Sequence, residues 1–322
     1  MHRPPARVTA IFLCLFSLLV SGCGGSDETA RPAPAATEFP SAKGKSIEQL
    51  LHDTGAKPTK LVIAPAAQVF DVGMNRYPFG VFTPGNEQVS DADVALYFAR
   101  DGKGPVLGPL PAQVSSLEVK PAYRAAGEDP DEAKSVYVVP RVRFDRPGPW
   151  LAIAMLKGQD GLEVSRVPSP VVGDNSVPRV GQKAPMIHTP TAAEVGGDLA
   201  RIDTRNPHDQ MHEVDFAEVL GKKPIALVFA TPALCQSRVC GPVVDVSQEV
   251  ADQYKGKADF VHMEVYNDND PGKGIRPQLR TYHLPTEPWT FLIDGDGVIR
   301  DRIEGAFGVS ELEEAMRKIV SG

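Results

Sequence analysis

The sequence predicts two folded domains of different class: an antiparallel β-sandwich over residues 46–168 and an α/β domain over residues 181–322. Three observations carry this. Period-two alternation of apolar and polar residues recurs between 58 and 168, where helical patterning is scarce. Beyond 181, strand-like runs alternate with helix-like ones. Between them, residues 169–180 are rich in Pro, Val, Gly, Asp, Asn and Ser and read as an interdomain linker. A chain of 322 residues has room for two cores.

The elements follow in chain order. An apolar stretch, Ile11 to Val20, follows Arg3 and Arg7 and ends in small residues. It is short for a bilayer span and reads as an export signal over residues 1–22. Residues 23–45, made of Gly, Ser, Ala, Pro and Thr with scattered charges, lack the apolar content for a core. They read as a flexible tether with a reach of about 25 Å. A short helix is expected at 46–55. Val94, Leu96 and Phe98 then alternate with Ala95 and Tyr97, and Val142 and Phe144 with Arg141, Arg143 and Asp145. Pro147-Gly148-Pro149 breaks the chain before Leu151, Ile153 and Met155 resume the alternation. Each such strand is expected to bury one face.

In the second domain, strands are expected at 224–230, 258–266, 289–294 and 298–305. Helices are expected at 242–255, 275–283 and 309–320. The last carries Val309, Leu312, Ala315, Met316 and Ile319 on one face. The order is β-α-β-α-β-β-α. Cys235 and Cys240 fall where the first strand hands over to the first helix, a place where the helix dipole favours thiolate.

The formal charge is −7, and loss of residues 1–22 removes two arginines and no acids, giving about −9. That balance argues against a nucleic-acid partner.

Two resemblances sharpen these readings. Val20-Ser21-Gly22-Cys23-Gly24-Gly25 resembles a bacterial lipobox. The resemblance implies cleavage before Cys23, a lipid on Cys23, loss of Cys14, and anchoring at the extracytoplasmic face of the cell membrane. Only Cys235 and Cys240 would then keep a free sulfur.

Residues 178–322 resemble the thioredoxin superfamily, in particular its membrane-anchored thiol-disulfide oxidoreductases and the peroxiredoxins. Three pieces carry the likeness: Gly181-x-x-Ala184-Pro185, Phe229-Ala230-Thr231 followed by Leu234-Cys235, and Glu287-Pro288-Trp289-Thr290-Phe291-Leu292-Ile293-Asp294-Gly295-Asp296-Gly297. The resemblance implies that Pro288 is the family's cis-proline, in a loop beside the thiols that presents backbone to substrate. The first domain is similar in pattern to immunoglobulin-like modules of exported proteins.

The spacing departs from the family. Four residues separate the cysteines instead of two. Counting from the strand makes Cys235 the leading thiol. Matching Cys240-Gly241-Pro242-Val243 to the family's Cys-Gly-Pro-Cys makes it Cys240. Pro242 suits a first helical position. No acid or lysine in strand 225–229 matches the buried carboxylate of many thioredoxins. Residues five apart in a regular helix have Cα atoms about 8.6 Å apart, beyond the roughly 7 Å limit of a disulfide. An oxidised pair therefore requires a non-helical turn across Gln236–Val239.

The implied chemistry is thiol–disulfide exchange, with exported thiol or disulfide proteins, or a membrane reductant, as partner. Arg238 would favour a thiolate. Glu287 would oppose it or move a proton, and Trp289 would pack in the core or touch substrate. Three alternatives stay open. A structural disulfide in a binding or scaffold protein is one. A peroxiredoxin-like peroxidase is another, although Val228 and Pro232 stand where that pattern wants Pro and Thr. Copper handling is the third. His208-Asp209-Gln210-Met211-His212 would set two histidines on one helix face near a soft methionine, but Asn206-Pro207 before them suggests a polar turn. No cofactor or metal ligand is assigned.

Overall fold

The structure is a computed structural model and describes residues 1–2, 30–126, 132–235 and 237–321. Residues 3–22 of the expected signal and the candidate lipidation site Cys23 lie outside the described residues. Among the described residues, no helix is long and apolar enough to cross a membrane.

The first half is β-rich. Helix α1 (Ile47–Thr54) starts at Ser46, whose hydroxyl accepts Gln49 N–H at 3.2 Å while Gln49 accepts Ser46 N–H at 2.9 Å. This reciprocal cap satisfies two N–H groups that a helix start leaves unpaired. Among the described residues, eleven strands follow: β1 (Lys57–Pro58), β2 (Val62–Pro65), β3 (Gly73–Phe82), β4 (Val94–Ala99), β5 (Leu107–Pro111), β6 (Gln113–Ser116), β7 (Ser135–Phe144), β8 (Gly148–Pro149), β9 (Leu151–Gly158), β10 (Gly161–Val167) and β11 (Val171–Val172). They form sheets of order β1-β10-β9-β4-β5 and β2-β3-β7-β6, with β11 paired to β8. Apart from the parallel β1–β10 pair, the pairings are antiparallel. Tyr77 and Phe79 of β3, Phe98 of β4 and Phe144 of β7 meet between the two larger sheets.

The expected tether is a correction. Within 30–45 the chain pairs with the edge strand β6 of the four-stranded sheet and then packs on the five-stranded one. Arg31 exchanges backbone hydrogen bonds with Val114 at 2.8 Å, Phe39 and Ala42 are buried, and Tyr97 Oη donates to Pro40 O at 2.9 Å. The segment is too poor in apolar residues to build a core of its own, but it covers an apolar face that already exists. With α1 it buries Ala95, Tyr97, Ala99, Ile153 and Met155. For that reason β4 is buried on both faces rather than one. In β9 the residues facing the other sheet are Ala152, Ala154 and Leu156, while Leu151 is exposed.

The second half is a mixed α/β unit. Its elements are α2 (Phe216–Val219), β12 (Ile225–Phe229), α3 (Cys240–Gln253), β13 (Asp259–Met263), α4 (Pro277–Thr281), β14 (Trp289–Ile293), β15 (Ile299–Glu304) and α5 (Val309–Val320). The sheet order is β13-β12-β14-β15, with β12–β13 parallel and the other pairs antiparallel. Every residue of β12 and β14 is buried, as expected for central strands covered on both faces.

The expected linker, 169–180, is also packed. Val172 enters the core between the sandwich sheets and Val177 the core of the α/β unit. The halves themselves share an apolar cluster in which Leu117, Val119 and Val136 meet Val243, Phe307 and Leu312.

Candidate functional site

Strand β12 delivers the chain at Ala230, and a short turn at Pro232–Leu234 leads to Cys235. Cys235 is extended (φ −74°, ψ 127°) and Arg238 takes a left-handed φ of 63°, an uncommon conformation for a residue with a side chain. Helix α3 then starts at Cys240 itself, with Val239 as N-cap. The helix starts two residues earlier than Pro242 suggested, and Pro242 falls in its first turn, where a missing N–H costs nothing.

Cys235 and Cys240 form a disulfide with a Cα–Cα distance of 5.9 Å. The described residues between them, 237–239, are non-helical, as the reach of a disulfide requires. The two sulfurs differ in environment. Cys240 is fully buried beneath the loop. Cys235 is half-buried, and its sulfur lies 3.1 Å from the hydroxyl of Ser237.

Glu287–Pro288 is a cis peptide bond, and Pro288 O accepts Gly305 N–H at 2.9 Å. A cleft of about 590 Å³ opens here. One wall is Ser237, Arg238, Val239, Glu287 and Pro288, and the facing wall comes from the sandwich, with Pro65, Phe82 and Glu132. Burial pushes the Glu287 carboxyl above its usual range. The sandwich also grips the loop directly: Ala133 N–H donates to Arg238 O at 3.0 Å, and the Glu132 carboxylate lies against Gly241 in the first turn of α3. A carboxylate there faces the positive end of the helix.

Of the candidate residues, Arg238, Glu287 and Pro288 line this cleft, while Cys235 and Cys240 flank the 237–239 loop that forms part of its wall without lining it themselves. Trp289 is not on the cleft either. It is buried, stacked on Phe291 at 5.8 Å, and its Nε1–H donates to Thr286 Oγ1 at 3.0 Å. As the first residue of a central strand, its side chain is directed into the packed core.

One cluster escaped the sequence reading, and a second was anticipated only at Asp209 and His212. On α3, Asp245 and Glu249 sit one helical turn apart and are buried. Glu249 accepts Lys120 N–H at 2.8 Å. Asp245 accepts Ala125 N–H at 3.0 Å and pairs with the buried Arg205 at 2.7 Å. Burial pushes the Asp245 carboxyl up, and the Ala125 N–H and Arg205 offset it only in part. The only local signal was an acid repeated every turn, which ordinarily marks a solvated face.

The second cluster lies under the cysteine loop. His262 of β13 is fully buried. Its Nδ1 is 2.7 Å from Asp209 Oδ2, and its Nε2 donates to Ala230 O at 3.1 Å. Burial opposes a charge on His262, but Asp209 outweighs it and pushes the pKa up to about 10. Asp203 and His212 complete the group. The segment 203–212 is not helical, so His208 and His212 do not share a helix face: His212 points inward at 2% exposure and His208 stays on the rim. His262 comes from a strand fifty residues away, beyond any local motif.

No family model and no curated protein matches the chain. Among solved structures it is similar to a thiol:disulfide interchange protein, a thioredoxin family protein from Chlorobium tepidum TLS, at 15% identity and a TM-score of 0.31, over 44% of this chain and 97% of that one.

Proposed function

We propose that this chain is an extracytoplasmic, lipid-anchored thioredoxin-like protein that exchanges disulfides through Cys235 and Cys240. The observation that carries the reading is the asymmetry of the pair: a half-buried Cys235 in a loop beside the Glu287–Pro288 cleft, bonded to a buried Cys240 in the first turn of α3. An incoming substrate thiolate attacks Cys235 Sγ, the Cys235–Cys240 bond breaks, and its electron pair leaves on Cys240 Sγ. The positive end of α3 favours that leaving thiolate, and lower-pKa thiols leave faster. In the reverse direction the Cys235 thiolate attacks a substrate disulfide, and Cys240 resolves the mixed disulfide. Exported thiol proteins or a membrane reductant are the partners this chemistry needs, with the anchor on Cys23 holding the protein at the membrane.

One observation favours a second reading, a structural disulfide in a scaffold protein. The sandwich holds the loop through Ala133 and Glu132, which hinders the rearrangement that exchange requires.

Equilibration with glutathione or dithiothreitol buffers separates the two. Exchange predicts a reduction potential above about −300 mV. It also predicts that Cys240→Ser accumulates a mixed disulfide at Cys235, whereas Cys235→Ser does not. A pair that stays oxidised in the folded protein under strong reductant establishes the structural reading instead.

A further inference from the structure

We infer a binding site for a divalent transition-metal ion, distinct from the thiols, formed by Asp203, Asp209, His212 and His262. One ligand atom from each of the four lies within 4.8 Å of the others, and all four side chains are buried.

The strongest argument comes from His212. It is 2% exposed, and among the described residues neither ring nitrogen has a hydrogen-bond partner. Leaving a polar group unpaired away from water is costly. Its Nε2 nevertheless points between two carboxylates, 3.7 Å from Asp203 Oδ2 and 3.6 Å from Asp209 Oδ1. Those distances are too long for hydrogen bonds. They are close to the edge of roughly 3.3 Å spanned by two ligands that each sit about 2.0 Å from a tetrahedral ion.

The surroundings orient the ligands as a metal requires. His262 Nε2 donates to Ala230 O, which leaves Nδ1 as the nitrogen facing the cluster. A backbone carbonyl holding the other ring N–H is the usual support of a ligating histidine. Asp203 is fixed by Arg205 N–H at 2.8 Å and Asp209 N–H at 2.7 Å, and Asp209 by Met211 N–H at 2.7 Å. Between His262 Nδ1 and Asp209 Oδ2, now 2.7 Å apart, the ion takes the place of the shared proton, and the pair opens to the tetrahedral edge. Two carboxylates and two neutral imidazoles carry two negative charges, which a divalent ion neutralises inside the protein. Imidazole with carboxylate is a donor set suited to Zn²⁺. His208, on the rim 3.6 Å from Asp203 Oδ2, marks the side of entry.

The test uses the full chain, stripped with a chelator and titrated with Zn²⁺ alone. The expected result is one Zn²⁺ per chain, retained in a Cys235→Ser/Cys240→Ser variant and weakened more than about 100-fold in His212→Ala, beyond what loss of a supporting partner costs. X-ray absorption of the unaltered chain should show only nitrogen and oxygen neighbours at about 2.0–2.1 Å. This second readout holds even if His212→Ala does not fold. Absence of stoichiometric binding, sulfur in the first shell, or binding unchanged in a folded His212→Ala variant overturns the inference.

Discussion

Asp215 illustrates how much one side chain carries here. It caps α2 by accepting Ala217 N–H at 3.0 Å, accepts Thr189 N–H at 2.8 Å, and lies 2.6 Å from His188 Nδ1. Burial works against its charge, but these hydrogen bonds outweigh burial and hold the carboxyl below its ordinary 3.8. A depressed acid stabilises the fold fully above the unfolded value and loses that contribution as pH falls through the folded one. Asp215→Ala should therefore cost about 1–2 kcal/mol near neutral pH. The gap to the parent protein should narrow as pH is taken below 3.8. Urea unfolding at neutral and acid pH measures both, and a gap of equal size at each would refute the assignment. At this scale the cysteines and Pro288 were legible because strand end, thiol and helix start are local in sequence. Of the Asp203–His262 cluster only Asp209 and His212 stood out, in the wrong geometry and beside His208, because His262 arrives through sheet pairing.

Among the elements, the segment before α1 departs most from expectation. A free tether would tolerate any substitution. Instead Phe39 is buried against the five-stranded sheet, with the Lys157 ammonium 5.4 Å from its ring. Phe39→Ala should cost about 3 kcal/mol, the loss of a buried aromatic plus the cavity it leaves. An unchanged urea midpoint would restore the tether. The same segment explains why alternation misled at β4 and β9. Period-two reading assumes that one face meets water, and here both faces are covered. By contrast, α5 spans the expected residues 309–320, since its apolar stripe has one core to face.

For the whole molecule, the contact between halves is the feature with most consequence. Glu304 of β15 accepts Gln68 and Val69 N–H, each at 2.9 Å. Arg76 of β3 reaches Glu311 at 2.6 Å and donates to Ala306 O at 2.6 Å. Gly305 lies between these links with φ 81°, and a Cβ there would overlap Ala66 O of the sandwich. Gly305→Ala should destabilise the protein by about 1–3 kcal/mol through backbone strain alone, with the clash adding to it. Thermal unfolding of the variant measures the loss, and a parent-like transition would mean that the halves do not need this approach.

The sequence by itself determined the order of elements in the α/β half, the strand-rich first half, and the meeting of Cys235 and Cys240 with a strand end and a helix start. All of these follow from periodicity and from residues near one another in the chain. Tertiary structure alone decided that residues 30–45 of the presumed tether and the linker are packed, that one sulfur is buried and the other half-exposed, and that the sandwich walls the cleft beside Pro288. It also assembled the buried Asp203, Asp209, His212 and His262. The physical reason is common to these cases: burial and long-range pairing depend on which surfaces meet, and residues distant in the chain supply those surfaces.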